Sequence, residues 1–176
     1  MNYLQIEKAS VANGIGVRTV LWVSGCSLHC KGCQNPETWD FNAGKPFDDK
    51  AKQELFSYLS LPYIRGLTIS GGHPLEEKNV RAIVKLISDV IDIFPQKDIW
   101  LYTGLKLSKD IFLSPFAGER IDVYRHAALI YSNVVVDGEY REELRDTTLP
   151  FRGSSNQRLI DVKKTLNAGE IVLYGE

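Results

Sequence analysis

Cys26, Cys30 and Cys33 are the only cysteines of this 176-residue chain, and they stand within one short run, Cys26-Ser27-Leu28-His29-Cys30-Lys31-Gly32-Cys33. Thiolates are soft ligands for zinc, copper(I) and iron–sulfur clusters, and four-iron clusters are commonly held by closely spaced cysteines. A C-x3-C-x2-C triad with no fourth cysteine suits a four-iron cluster with one iron left open for chemistry. Two other readings of these residues stay open. Zinc needs a fourth ligand. His29 directly precedes Cys30, and adjacent residues seldom reach one small ion, which leaves His73 or His126. A thiol oxidoreductase would use Cys30-Lys31-Gly32-Cys33, but such pairs normally start a helix, and Cys26 would then have no role.

The bulk properties narrow the setting. The chain is 44% apolar and long enough for one domain with a proper core. Lysine and arginine number 21 against 22 acids, a formal net charge of -1, which argues against nucleic acid as a partner. The first residues, MNYLQIEKAS, lack the charged and apolar regions of a signal peptide, and no run approaches the ~18 apolar residues of a spanning helix. Three clustered cysteines do not make a disulfide framework. The expectation is a soluble, cytoplasmic single domain over residues 1–176, with no membrane partner and its cysteines reduced or metal-bound.

The cysteine loop needs elements to hold it. Arg18–Val23 reads as a short buried strand that delivers the chain through Ser24-Gly25 into the loop. Asp48 is placed to cap a helix running to about Leu59. Gly66–Ser70 reads as a second strand ending at Gly71-Gly72. Val80, Ile83, Val84, Ile87, Val90, Ile91 and Phe94 then form a helical stripe that Pro95 stops. Ile99–Tyr102 and Asn133–Val136 read as further strands, ending at Thr103-Gly104 and Asp137-Gly138. Between them Leu105–Tyr131 reads as mostly helical, broken at Ser114-Pro115. Residues 159–173 suggest a hairpin or two short edge strands.

This alternation predicts an α/β fold with a mainly parallel sheet, helices outside, and the strand-end loops gathered on one rim. The chain is too short for a closed barrel of ~250 residues. The expected architecture is a partial, open βα barrel of four to five parallel units with short C-terminal strands or a hairpin.

Several motifs in order carry a family resemblance. They are Asn13-Gly14-Ile15-Gly16-Val17-Arg18, Gly25-Cys26 to Cys33-Gln34-Asn35, Thr38-Trp39, and Ser70-Gly71-Gly72-His73-Pro74-Leu75. Asp98-Ile99-Trp100, Tyr102-Thr103-Gly104, Val136-Asp137-Gly138 and Arg152-Gly153-Ser154-Ser155-Asn156-Gln157-Arg158 follow. Together these resemble the radical S-adenosylmethionine superfamily and, within it, the activating proteins of anaerobic ribonucleoside-triphosphate reductases. The resemblance implies that Cys26, Cys30 and Cys33 hold three irons of a [4Fe-4S] cluster and that S-adenosyl-L-methionine binds the fourth. It implies reductive cleavage of that cosubstrate and a glycyl radical left on the large subunit of the reductase. A low-potential electron donor such as a flavodoxin or ferredoxin, and a complex with the reductase dimer, are implied in the same way. The chemistry then belongs to the cluster and cosubstrate, with no catalytic side chain. A small-molecule radical enzyme of the same superfamily and a zinc-stabilised binding module with no catalysis remain alternatives.

The resemblance also assigns cofactor-binding positions. Gly32, Cys33 and Gln34 lie where relatives face the adenine, and Gly71-Gly72 where the backbone meets the methionine end. Thr103 and Asp137, at later strand ends, are candidates for the ribose or for ordering the rim. His73 departs from the pattern, because relatives usually carry Asp or Glu there. A neutral histidine offers one ring acceptor where a carboxylate offers two oxygens and a charge. The expectation is that backbone carbonyls carry more of the binding, and that binding weakens as His73 protonates below roughly pH 6.5. Arg152–Arg158 suits either a partner surface or closure of the open barrel. A partial barrel leaves the site open on one side, which suits a protein substrate whose loop enters it.

Overall fold

A computed structural model of the chain describes residues 1–113 and 123–175. Strands β1 (Asn2–Ser10), β2 (Arg18–Val23), β3 (Lys45–Pro46), β4 (Gly66–Gly71), β5 (Asp98–Tyr102), β6 (Val134–Asp137) and β7 (Arg158–Asp161) form one sheet in the order β3-β1-β2-β4-β5-β6-β7. The four inner strands β2, β4, β5 and β6 run parallel, and β1, β3 and β7 add antiparallel margins. The sheet is open, with β3 and β7 at its edges. Helices α1 (Asp49–Leu59), α2 (Glu77–Ile93), α3 (Lys109–Leu113), α4 (Val123–Ile130) and α5 (Val162–Ala168) complete the described elements. None of these helices is long and apolar enough to cross a membrane.

Side chains alternate across a strand, and here the alternation sorts two environments. Leu21, Val23, Leu67, Ile69, Leu101 and Val135 share the larger core with Leu55 of α1, Ile83 and Ile87 of α2, and Leu129 of α4. The opposite face carries Trp100, Val134, Val136 and Leu159, packed against Tyr102, Phe151 and Tyr174. The apolar stripe of α2 thus seats on the helical side, and Phe94 and Pro95 end it as the sequence indicates. The Asp48 carboxylate accepts from the Ala51 N–H at 2.9 Å and starts α1.

The foot of the sheet is tied by one side chain. Arg18 is fully buried on the face away from the helices. Its Nε donates to Thr68 Oγ1 (2.7 Å), its Nη2 to the Leu67 carbonyl (2.9 Å), and its Nη1 lies 2.5 Å from Asp98 Oδ1. The guanidinium also sits 5.2 Å from the Trp100 ring. One planar cation therefore joins the starts of β2, β4 and β5, its charge answered by Asp98 and its donors by oxygens. Gly14 makes room for it: a Cβ there would meet Arg18 Cδ at 2.7 Å and the Trp100 ring at 2.9 Å.

Two segments differ from the sequence expectation. Strand β1, nine residues long, has no counterpart in the sequence expectation, since its burial is weakly patterned and its pairing is interrupted by register shifts. The C-terminal hairpin is replaced by β7 followed by α5. The Asp161 carboxylate accepts from Lys164 N–H (2.9 Å) to cap that helix, and Gly169 ends it in the left-handed conformation. What remains of the hairpin is an antiparallel bridge between Ile160 and Leu173. The break expected at Ser114-Pro115 lies outside the described residues.

Replacing Arg18 by Met should lower the unfolding free energy by about 3 kcal/mol, since removing one partner strands a partly buried Asp98. Urea denaturation of the metal-free protein measures this, with Arg65, 3.0 Å from Asp98, limiting the loss.

Candidate iron–sulfur site

The cysteine loop leaves the end of β2 and is held against the end of β4 by backbone. Gly72 N–H donates to the Val23 carbonyl and His73 N–H to the Gly25 carbonyl, both at 2.8 Å. A Cβ on Gly72 would stand 2.6 Å from the Gly25 oxygen, and one on Gly71, where φ is +100°, would meet Val23 backbone at 2.7 Å. The glycine pair is required first by this contact between two chain segments. On the other side, Gly25 and Cys26 N–H groups donate to the carbonyls of Thr38 and Trp39, closing the loop into a compact turn. His29, with φ of +48°, lies over Trp39 at a ring separation of 4.7 Å.

The first turn of α2 clamps the same loop with side chains. Asn79, fully buried, donates from Nδ2 to the Ser24 carbonyl (2.9 Å) and the His73 carbonyl (3.3 Å). Glu76, at the N-cap position of α2, does not cap that helix with its side chain. Its Oε1 accepts from the Ser27 N–H (2.9 Å) and the Ser27 hydroxyl (2.6 Å). Burial pushes the Glu76 carboxyl up, but the Ser27 donors and His73 outweigh it and hold the group below the usual carboxylate range. The sequence reading did not single out Glu76 or Asn79. Their spacing three residues apart after His73 was the available signal.

Cys26, Cys30 and Cys33 all line one cavity of about 440 Å³ on the face of the sheet away from the helices. That volume falls within the ~300–1,000 Å³ of small-molecule sites. Cys33 Sγ accepts from the Asn35 N–H at 3.4 Å, while the backbone of Leu28 and His29 at Cys26, and of Tyr140 at Cys30, acts to lower the pKa of those thiols. Burial pushes the Cys26 thiol up, against the pull of its two N–H donors. Burial also raises Cys30, with Glu139 adding to it and the Tyr140 N–H opposing. Ligation by these thiols therefore entails proton release. Among the described residues no three His, Cys, Asp or Glu side chains converge as a single metal ion requires. Three free thiols lining one cavity fit a multi-iron cluster in which each thiolate takes its own iron.

The histidines offered as a zinc ligand are otherwise engaged. His126 Nε2 lies 3.3 Å from the Phe112 carbonyl. His73 is buried, with Nε2 2.8 Å from Thr103 Oγ1 and Nδ1 3.4 Å from Glu76 Oε1. A carboxylate only accepts, so Nδ1 carries the proton. Thr103 then donates its hydroxyl hydrogen to Nε2 and accepts from the Leu105 N–H (3.2 Å). Burial lowers the His73 pKa below its ordinary 6.5, with Glu76 acting in the opposite direction. The pH window expected near 6.5 therefore moves lower.

The remaining positions divide. Cys33, Gln34, Gly71, Gly72, His73 and Thr103 line the cavity, whereas Gly32 does not and instead packs its backbone against Glu142. Asp137, a candidate for the ribose or for ordering the rim, is held within the fold and is not among the residues lining the cavity. It is fully buried, with Oδ1 accepting from Arg158 Nε (3.0 Å) and Oδ2 from the Leu107 N–H (2.9 Å) and Arg158 Nη2 (2.5 Å). Its neighbour Gly138 lines the cavity instead. The segment left between two roles, Arg152–Arg158, contributes Arg152, Gly153 and Gln157 to the cavity wall. Gln157 Oε1 accepts from the Gly153 N–H (2.9 Å), and the Tyr102 hydroxyl donates to the Phe151 carbonyl (2.7 Å). Phe151 holds this turn at φ of +60° with its ring edge-on to Trp100.

A cavity at the strand ends, walled by three free thiols, is the site of an iron–sulfur protein, and residues 12–160 match the family described as the 4Fe-4S single cluster domain. Curated relatives narrow this further. The chain is 41% identical to the anaerobic ribonucleoside-triphosphate reductase-activating protein of Haemophilus influenzae, over 89% of this chain and 96% of that protein. It is 42% identical to the protein of the same name from Enterobacteria phage T4, over 90% and 93%, and 38% identical to that of Escherichia coli K12, over 89% and 96%. The chain belongs to the family of anaerobic ribonucleoside-triphosphate reductase-activating proteins.

Two outcomes test this geometry. Gly72→Ala should cost about 1–3 kcal/mol by forcing backbone apart, and should reduce iron retained after anaerobic reconstitution. Proton NMR of the His73 ring should give a midpoint below 6.5. Because the folded pKa is depressed, the stability from neutral His73 is present above pH 6.5 and lost as pH falls towards the folded pKa. His73→Gln should flatten that part of the stability curve.

Proposed function

We propose that this chain activates an anaerobic ribonucleoside-triphosphate reductase by installing a glycyl radical on its large subunit. Cys26, Cys30 and Cys33 hold a [4Fe-4S] cluster, and S-adenosyl-L-methionine occupies the adjoining cavity. The observation that carries the reading is the set of three free thiols lining one cavity, with no fourth thiol in the chain to complete the cluster. When bound, a reduced cluster held by Cys26, Cys30 and Cys33 would supply the electron for reductive cleavage of S-adenosyl-L-methionine and, through it, the removal of a hydrogen atom from a glycine of the reductase.

The chain's own residues have narrower tasks. The N–H groups of Leu28, His29, Asn35 and Tyr140 stabilise negative charge on the three sulfurs. Gly71 and Gly72 bring the β4 end to the cavity with no side chain between, so their backbone faces the ligand. His73 and Thr103 form a neutral hydrogen-bonded pair on the same wall, which orders the rim without adding charge. Gln34, Tyr140, Phe151 and Gly153 enclose the side formed by the loop between β6 and β7 and exclude water there. The electron donor is of the flavodoxin or ferredoxin type, and the complex forms with the reductase dimer.

Mixing the reconstituted protein with the large reductase subunit, S-adenosyl-L-methionine and a low-potential reductant should produce a glycyl electron-paramagnetic-resonance signal on that subunit. Cys30→Ala should abolish the signal, and a signal persisting in that variant would overturn the assignment.

A further inference from the structure

Beyond the thiols, Glu76 is the side chain that ties the cysteine loop to the rest of the fold. It makes the only side-chain carboxylate bonds to the run between Cys26 and Cys33 among the described hydrogen bonds, and both go to Ser27, the residue after Cys26. The carboxylate is half-buried at the start of a 17-residue helix, where the N-terminal dipole favours negative charge. It also fixes the His73 tautomer through Nδ1, so one oxygen links the cysteine loop, α2 and the glycine-pair loop. A residue whose task was to cap α2 would turn its carboxylate onto that helix's own N–H groups. Glu76 turns it onto the cysteine loop instead. Backbone bonds and Asn79 already fasten the root of that loop at Ser24 and Gly25. What Glu76 adds is a fixed site for the next residue out, and a charge.

We propose that Glu76 is a positioning residue with an electrostatic function: it clamps Ser27 to hold Cys26 in the ligand set, and its permanent negative charge lowers the reduction potential of the cluster. The proposal rests on the cluster reading given above. The physical basis is that a carboxylate near an iron–sulfur centre disfavours the added electron, and that net charge and hydrogen bonding around the sulfurs set such potentials. A low potential is what a one-electron reductant of an inert sulfonium requires, so the charge acts in the direction the reaction needs.

The two parts separate in two variants of the full chain. Glu76→Gln keeps an oxygen that accepts from Ser27 and removes the charge. Glu76→Ala removes both. After anaerobic reconstitution, iron and sulfide content and an electron-paramagnetic-resonance redox titration are measured for each, with thermal melting of the metal-free forms as a check on folding. Glu76→Gln should bind iron as the unsubstituted protein does, with a midpoint raised so that the reduced-to-oxidised ratio at a fixed potential grows about tenfold, or about 59 mV for a one-electron couple. Glu76→Ala should lose a large part of its iron even where its metal-free form melts normally. A Glu76→Gln midpoint equal to that of the unsubstituted protein would overturn the electrostatic function. Full iron retention in Glu76→Ala would overturn the clamp. An unsubstituted protein that yields no four-iron signal would overturn the cluster reading itself, and the proposal with it.

Discussion

The site depends on a backbone contact between two strand ends. Gly72 and His73 donate to the carbonyls of Val23 and Gly25, and the approach is close enough that any Cβ at Gly72 would collide with the Gly25 oxygen. Parallel β2 and β4 already lie side by side in register up to Val23 and Gly71. The contact extends that pairing by a few residues past the last ladder bond. It thereby fixes where the cysteine loop starts and gives a short, glycine-rich loop its geometry. Without such an anchor, eight residues with little apolar content would not hold three sulfurs around one cavity.

Charge is placed in the same economical way. At the foot of the sheet, Arg18 and Asp98 neutralise each other while binding three strands. Near the rim, Arg158 and Asp137 lock the return from β6 to β7 beneath the loop that walls the cavity. Both pairs sit on the sheet, one at each end of the inner strands: buried Asp137 is met by the Arg158 fork and the Leu107 N–H, and partly buried Asp98 by Arg18 and Arg65. The cavity wall between them is mostly neutral. His73 is kept uncharged by burial, and its hydrogen bonds to Thr103 and Glu76 use both ring nitrogens.

Much of this arrangement is legible in the residues. The bounds of β2 and α1, the stop of α2 at Pro95 and the four inner strands follow from local pattern, because buried parallel strands and an amphipathic helix each carry a strong periodic signal. The signal fails where stability comes from pairing. Strand β1 is held by its ladder to β2 despite a weak alternation. Helix α5 is seven residues long and depends on the Asp161 cap and contacts with α3 and α4, so its local pattern also allowed an edge strand. Asp137 stands at a strand end, where local sequence allows either a ribose contact or a role in ordering the rim. Its partner, Arg158, is 21 residues away, and only the antiparallel return of β7 brings the two together.

The sequence by itself determined the donor set and the family. Three cysteines at fixed spacing can be counted, and motifs in order can be matched, without knowing where any side chain points. Only the tertiary structure decided which residues meet those thiols. Glu76 reaches Ser27 across 49 positions, Tyr140 brings its N–H to Cys30 from the far end of the sheet, and Arg152–Gln157 folds back as a cavity wall. Ligand identity is a property of local chemistry, whereas the field and enclosure around a ligand set are sums over segments distant in sequence. Those segments become neighbours only when parallel strands bring their ends to one rim.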